Sequence, residues 1–450
     1  MRAQQSQQRW SGGTWGLALL GAALASACGR DGLDREALRD PATCEGCHPD
    51  HVREWAGSMH AYASDDPVFL AMNRLAQRAT DGALGTFCVR CHAPMAVAAG
   101  LTTDGLNLET LPRAMRGVTC VACHQIDAVQ QLNNGGVSWA LDDTMRGQLG
   151  DPVATGAHAS MRTALLDGAS LASSTACGAC HDVVVPGGPA IEQTYAEWTT
   201  SVFARAPRGL SCAGCHMAGR DGQAAEGGPP RRVHDHRLAA LDVALTPWPE
   251  QAAQLEAIDR DLRGAISGRL CVTPMGSAVE VEVTLDNIQA GHAFPSGVTH
   301  ARRVWVEVVA ERAGVEIWSR GRFADGEVVH HGDDPEVWIL GSRFLDATGA
   351  EVQMAWEAAA IESNLLTPAV TLDPGDPAYF HAQRRTWQVL GGPDVIRMAV
   401  HVQPVGLDVI DALIEAGELA PEVRATIPTF EVAGATHEWR ADRDGFGCVP

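Results

Sequence analysis

The chain has 450 residues, room for two or three domains, and a formal net charge of −21. That charge argues against nucleic-acid binding and against electrostatic docking on an anionic membrane surface, and suits a basic or neutral partner. Its 13 cysteines far exceed what a cytosolic enzyme of this size normally uses.

Arg2 and Arg9 precede the apolar run GLALLGAALASA, which is too short to span a bilayer as a stable helix. Ala25-Ser26-Ala27 reads as a small-residue cleavage site, so residues 1–27 are expected to be a signal peptide and the protein exported. Cleavage there puts Cys28 at the mature N-terminus, as in bacterial lipoproteins, although Ala25 stands where Leu is usual. Lipidation at Cys28 is the reading, with a plain cleaved signal as its alternative. Gly29 carries no retention signal for the inner membrane, which by resemblance to other bacterial lipoproteins implies the periplasmic outer membrane. Residues 28–43 would form a tether.

Five CxxCH units follow: Cys44/Cys47/His48, Cys88/Cys91/His92, Cys120/Cys123/His124, Cys177/Cys180/His181 and Cys212/Cys215/His216. Two thiols at this spacing reach both vinyl groups on one haem edge, and the next residue then offers its imidazole to the iron. Zinc would want CxxC units combined into four-ligand sites and would leave every following histidine unexplained. The expectation is five covalently bound haem c groups within residues 44–240. That segment is rich in Ala, Gly and polar loops, with helical patches such as DPVFLAMNRLAQRA (66–79). It cannot build a large conventional apolar core, so buried macrocycles would supply one.

A weak repeat runs through it. EWAGSMHAYA (54–63) and EWTTSVFARA (197–206) share EWxxSx(H/F)AxA, with Phe203 where the first copy has His60. The stretch 217–232 reads as a loop by its Gly and Pro content, and 241–269 as a linker. Beyond it, AVEVEVTL (278–285) and RRVWVEVVAE (302–311) alternate like half-buried strands, and GVEIWSRG, VWILGSRFLD and VIRMAVHVQPV read similarly. DVIDALIEAG (408–417) predicts a helix closed by Gly417. The fold class is therefore α+β: a mainly helical or irregular multihaem domain, then a β-sandwich-like domain over 270–450. Cys271 and Cys448 would pair as a disulfide in an oxidising periplasm; two independent thiols are the alternative.

The run EWAGSMHAYA after a first CxxCH, with FCVRCHAPMA, RGVTCVACHQI, CGACHD and EWTTSVFARAPRGLSCAGCHM, resembles the multihaem cytochrome c family. That family includes the tetrahaem carriers of ammonia oxidation and hydroxylamine oxidoreductase. The resemblance covers most of residues 40–240. It implies that His60 is a distal haem ligand, that His158 upstream of the fourth unit is another, and that His236, with His234 as fallback, is a third. His292 in AGHAFPSG resembles the histidine of a turn that follows such haem domains, and would dock the β-rich domain onto a haem. The fifth cap is unassigned; His51, His300, His331 and His381 are candidates, and Met59 and Met95 are better read as packing. The chain lacks CxxCK, and its tyrosines, Tyr62, Tyr195 and Tyr379, match no cross-linking pattern. A relay of electrons between a donor and an acceptor redox protein is the expected function. Its alternative is an oxidoreductase acting on a small nitrogen or sulfur compound at one five-coordinate haem.

Overall fold

The computed structural model describes residues 33–151, 156–330 and 334–449. The signal peptide, Cys28 and most of the tether lie outside the described residues.

Short helices carry the N-terminal half. Pro67–Ala79 is the longest there: Asp66 accepts from the Val68 N–H, Pro67 takes the first turn where its missing N–H costs nothing, and Val68, Leu70 and Ala71 are buried. Between the helices run two-stranded ladders. One of them, Gly219–Gln223 with Pro230–His234, occupies the stretch read as a loop. The Gly/Pro-rich centre turns the hairpin, while RDG and RRV pair across it.

From Ser267 onward two sheets face each other. The four-stranded sheet runs Gln383–Leu390, Ala278–Asp286, Ser267–Met275, Gly447–Val449, all antiparallel. The eight-stranded sheet centres on Arg303–Arg312 and Val395–Gln403. Val279, Val281 and Val283 point inward while Glu280 and Glu282 do not, as strict alternation requires. They pack with Val304, Val306, Val308, Val400 and Val402 in one core between the sheets. A disulfide joins Cys271 to Cys448, which sit opposite each other on paired strands.

The stretch 241–269 is not a bare linker. It contains the helix Gln251–Ala265, whose Ile258 and Leu262 enter the same core. Its apolar residues are spaced at helical intervals among charges, so the pattern was weak without the sheet it covers. A second helix, Leu407–Glu415, ends at Gly417 with φ +73° and packs Ile410 and Leu413 on Val68 and Ala71. The β-rich part thereby grips the haem-unit part at a second point, where Arg74 also pairs with Glu418 at 3.0 Å.

Ile258→Ala is expected to cost about 2–5 kcal/mol, from the lost transfer energy plus a cavity. Leu255→Ala, on the same helix but 40% exposed, is expected to change stability by no more than about 0.5 kcal/mol. Denaturant midpoints of the two variants check this; equal midpoints would mean the helix is not part of the core.

Candidate haem-binding centres

Each CxxCH unit folds as a single helical turn. The His48 N–H donates to the Cys44 carbonyl at 2.8 Å and the His181 N–H to the Cys177 carbonyl at 2.9 Å. Cys120–His124 and Cys212–His216 are short helices, and Val89–His92 continues from Cys88. Positions i, i+3 and i+4 share a helix face, so one turn presents both thiols and the imidazole together. Nine of the ten attachment cysteines are free thiols. Cys47 is disulfide-bonded and has to be reduced before it can form a thioether.

All five attachment imidazoles are held alike. Nδ1–H donates to the carbonyl of Ala224 from His48 (2.5 Å), of Ala63 from His92 (3.1 Å), of Arg146 from His124 (2.6 Å) and of Ala239 from His216 (2.9 Å). His181 instead donates to the Glu192 carboxylate at 3.2 Å. Fixing Nδ1 in this way sets the tautomer that leaves Nε2 for a metal. The sequence offers no signal for these acceptors, because backbone carbonyls have no residue type.

The other histidines then fall into register. His48 and His158 have ring centres 6.3 Å apart, His124 and His236 6.3 Å, His216 and His292 6.4 Å, and His181 and His60 6.2 Å. A histidine nitrogen sits about 2 Å from a first-row metal and the ring centre about 1.1 Å beyond, so two axial imidazoles on one iron have centres about 6.3 Å apart. The donor set thus fits a haem iron between each pair. His158, His236 and His292 also donate Nδ1–H to a nearby carbonyl, of Ala159, His234 and Ala293. Burial lowers His60 and His292 to about 4 and His236 to about 3, which keeps them as neutral imidazole, the ligating form. For His181 desolvation pulls the same way, but the Glu192 carboxylate outweighs it and the imidazole rises to about 9.

His234, the fallback for His236, donates to the Met217 carbonyl and pairs with no attachment histidine. His51 lies 4.7 Å from His236 and, three residues past His48 on the same helical turn, cannot face it across an iron. His300 stacks on Phe344 at 4.0 Å inside the β-rich part, and His381 meets Asp286 at 3.0 Å. Met95 is buried against Val121 and Ala122. His331 lies outside the described residues.

The second unit differs from the others. Among the described residues no imidazole faces His92. The Phe69 ring stacks flat on it, with centres 3.7 Å apart and planes 4° from parallel. Phe69 braces the face of that imidazole and leaves Nε2 free.

The centres lie together. Thiols hydrogen-bond between units, Cys44 with Cys120, Cys91 with Cys180 and Cys177 with Cys212, and this contact is the leading cause of the upward shifts at Cys120, Cys180 and Cys177.

Residues 43–125 match the family described as cytochrome c554 and c-prime. No curated protein matches the chain. The fold is similar to that of a penta-heme cytochrome c552 from Thermochromatium tepidum, at 20% identity and a TM-score of 0.61, over 91% of this chain and 98% of that one. The chain is a multihaem cytochrome c of α+β fold that carries covalently bound haem c.

Single replacement of His60, His158, His236 or His292 by Ala is expected to convert one haem equivalent from low to high spin, read by EPR. His300→Ala should leave the spin count alone, and an unchanged count for His60→Ala would remove His60 from the ligands. Glu192→Gln weakens the charge on the His181 hydrogen bond and should raise that haem's midpoint potential, by about 59 mV for each tenfold change in relative ligand affinity. A redox titration in which no midpoint rises would show that Glu192 does not tune it.

Proposed function

We propose that the chain is an exported pentahaem cytochrome that relays electrons between a donor and an acceptor redox protein. The observation that carries this reading is the direct contact between attachment units. Thiol contacts join the first unit to the third, the second to the fourth and the fourth to the fifth. Cys123 and Cys180 interact as well, so no unit stands apart.

Haem c supplies a one-electron iron couple at each centre. The chain's residues do the rest. Four histidine pairs close four centres to outside ligands, which suits electron transfer over catalysis. Backbone carbonyls fix the imidazoles, limiting reorganisation between oxidation states. The β-rich part contributes His292 from a turn held by Gly297 (φ +79°) and by Arg302, which donates to the Ser296 carbonyl and forks onto Asp242 at 2.9 Å. Cys28 as a lipid anchor on the outer membrane is the localisation that goes with this reading. Among the described residues no helix is long and apolar enough to cross a membrane.

One observation favours a second reading. His92 has no imidazole opposite it, so the haem it holds would be five-coordinate and open to a small nitrogen or sulfur compound. Low-temperature EPR of the oxidised protein, integrated against haem content, is expected to show four low-spin irons and one high-spin iron. Five low-spin irons would make the protein a carrier alone. A high-spin signal that shifts with nitrite, hydroxylamine or cyanide would give the protein a reactive centre as well.

A further inference from the structure

The two copies of the EWxxSx(H/F)AxA repeat do not attach haem, yet they are built alike. Trp55 and Trp198 are both 8% exposed and Glu54 is 2% exposed. The Trp55 indole N–H donates to the Val118 carbonyl at 2.8 Å, and that of Trp198 to the Leu210 carbonyl at 3.0 Å. Val118 and Leu210 each lie two residues before an attachment cysteine, Cys120 and Cys212. The carboxylates reach the other way. Glu54 accepts from the backbone N–H of His236 at 3.0 Å. Glu197 accepts from the N–H of Ala293, next to His292, at 3.1 Å, and from the Ser296 hydroxyl at 2.7 Å. A serine closes the corner in both copies, Ser58 donating to the Trp55 carbonyl and Ser201 to the Trp198 carbonyl.

The two ends of each grip belong to one histidine pair. His236 faces His124 of the unit that begins at Cys120, and His292 faces His216 of the unit that begins at Cys212. We propose that Glu54-Trp55 and Glu197-Trp198 are duplicated axial clamps that fix the separation of the His124–His236 and His216–His292 pairs. This rests on the reading that each pair shares one iron.

Adjacent helix residues point about 100° apart, so a dipeptide at a helix end can hold two different segments at once. A buried N–H bonded to a carboxylate is one of the stronger protein hydrogen bonds, and deleting the carboxylate leaves the donor unsatisfied. The copies differ in how that carboxylate is balanced. Glu54 meets the Arg220 guanidinium at 2.7 Å, whereas Glu197 relies on the Ser296 hydroxyl, which also contacts Thr194. Glu54, Trp55, Glu197 and Trp198 are positioning residues; none of them touches the imidazole rings of the pairs through its printed contacts.

The test uses the haem-loaded full chain and two readouts, the EPR spectrum of the oxidised form and carbon monoxide binding to the reduced form. His292→Ala serves as the reference and should give one full high-spin equivalent. Glu197→Ala should keep that haem low-spin but speed carbon monoxide entry about tenfold, because the distal segment detaches more often. Trp198→Phe, which keeps the apolar volume and loses the donor, should act in the same direction. Glu197→Gln keeps an acceptor and should restore most of the parent behaviour. The same series at Glu54 should affect the His124 centre alone. Parent-like entry rates in both Glu54→Ala and Glu197→Ala, alongside a high-spin His292→Ala, would overturn the clamp. Disturbance of all haems together, unrelieved by Gln, would also overturn it and mark the pair as general packing. If His292→Ala shows no high-spin iron, the pairing itself falls and the clamp falls with it.

Discussion

Two imidazole rings held with their centres 6.2–6.4 Å apart, by segments far apart in sequence, is the constraint on which this structure depends. The gap accommodates an iron between two nitrogens and little else. Each attachment unit can place its own histidine by a single helical turn. It cannot place the opposite one, which comes from another helix, a strand, or the β-rich part. Much of the irregular chain between the units serves to bring those second histidines back.

This constraint explains the division of labour between the two halves. Among the described residues the haem-unit half has small apolar clusters, such as Leu70, Val89, Ala93, Ala96 and Leu108. The β-rich half has a continuous core of valines and tryptophans between two sheets. A rigid sandwich can hold a loop against a neighbour with little loss of order, and His292 sits on such a loop. The helix Leu407–Glu415, packed on Pro67–Ala79, gives a second contact and resists rotation about the first. The first half supplies attachment, and the second supplies rigidity and one axial group.

His92 sets the limit of that pattern. Its ring is braced by Phe69 and its Nδ1–H by the Ala63 carbonyl, as carefully as any of the other four. What differs is the far side, where no described imidazole answers it. A centre so well fixed on one face and unmatched on the other separates pure relay from chemistry, and both functional readings meet there.

The attachment residues were legible in the sequence because a thioether pair and its axial imidazole must fit within one helical turn, and local spacing encodes local geometry. The strands 278–286 and 303–312 were legible for a similar reason, since alternation reports a half-buried surface directly. His60, His158, His236 and His292 were legible as candidates only through resemblance. Which attachment histidine each one faces was decided by tertiary structure, because pairing across more than a hundred residues leaves no mark on local spacing. The hairpin at 219–234 and the helix at 251–265 were hidden for the same reason: weak local patterns became elements only when a partner strand or sheet covered them. The repeat was visible as letters, but its meaning was not. That Glu54 and Glu197 reach one side of a histidine pair while Trp55 and Trp198 reach the other follows from backbone groups brought close by folding, and backbone groups carry no sequence signature.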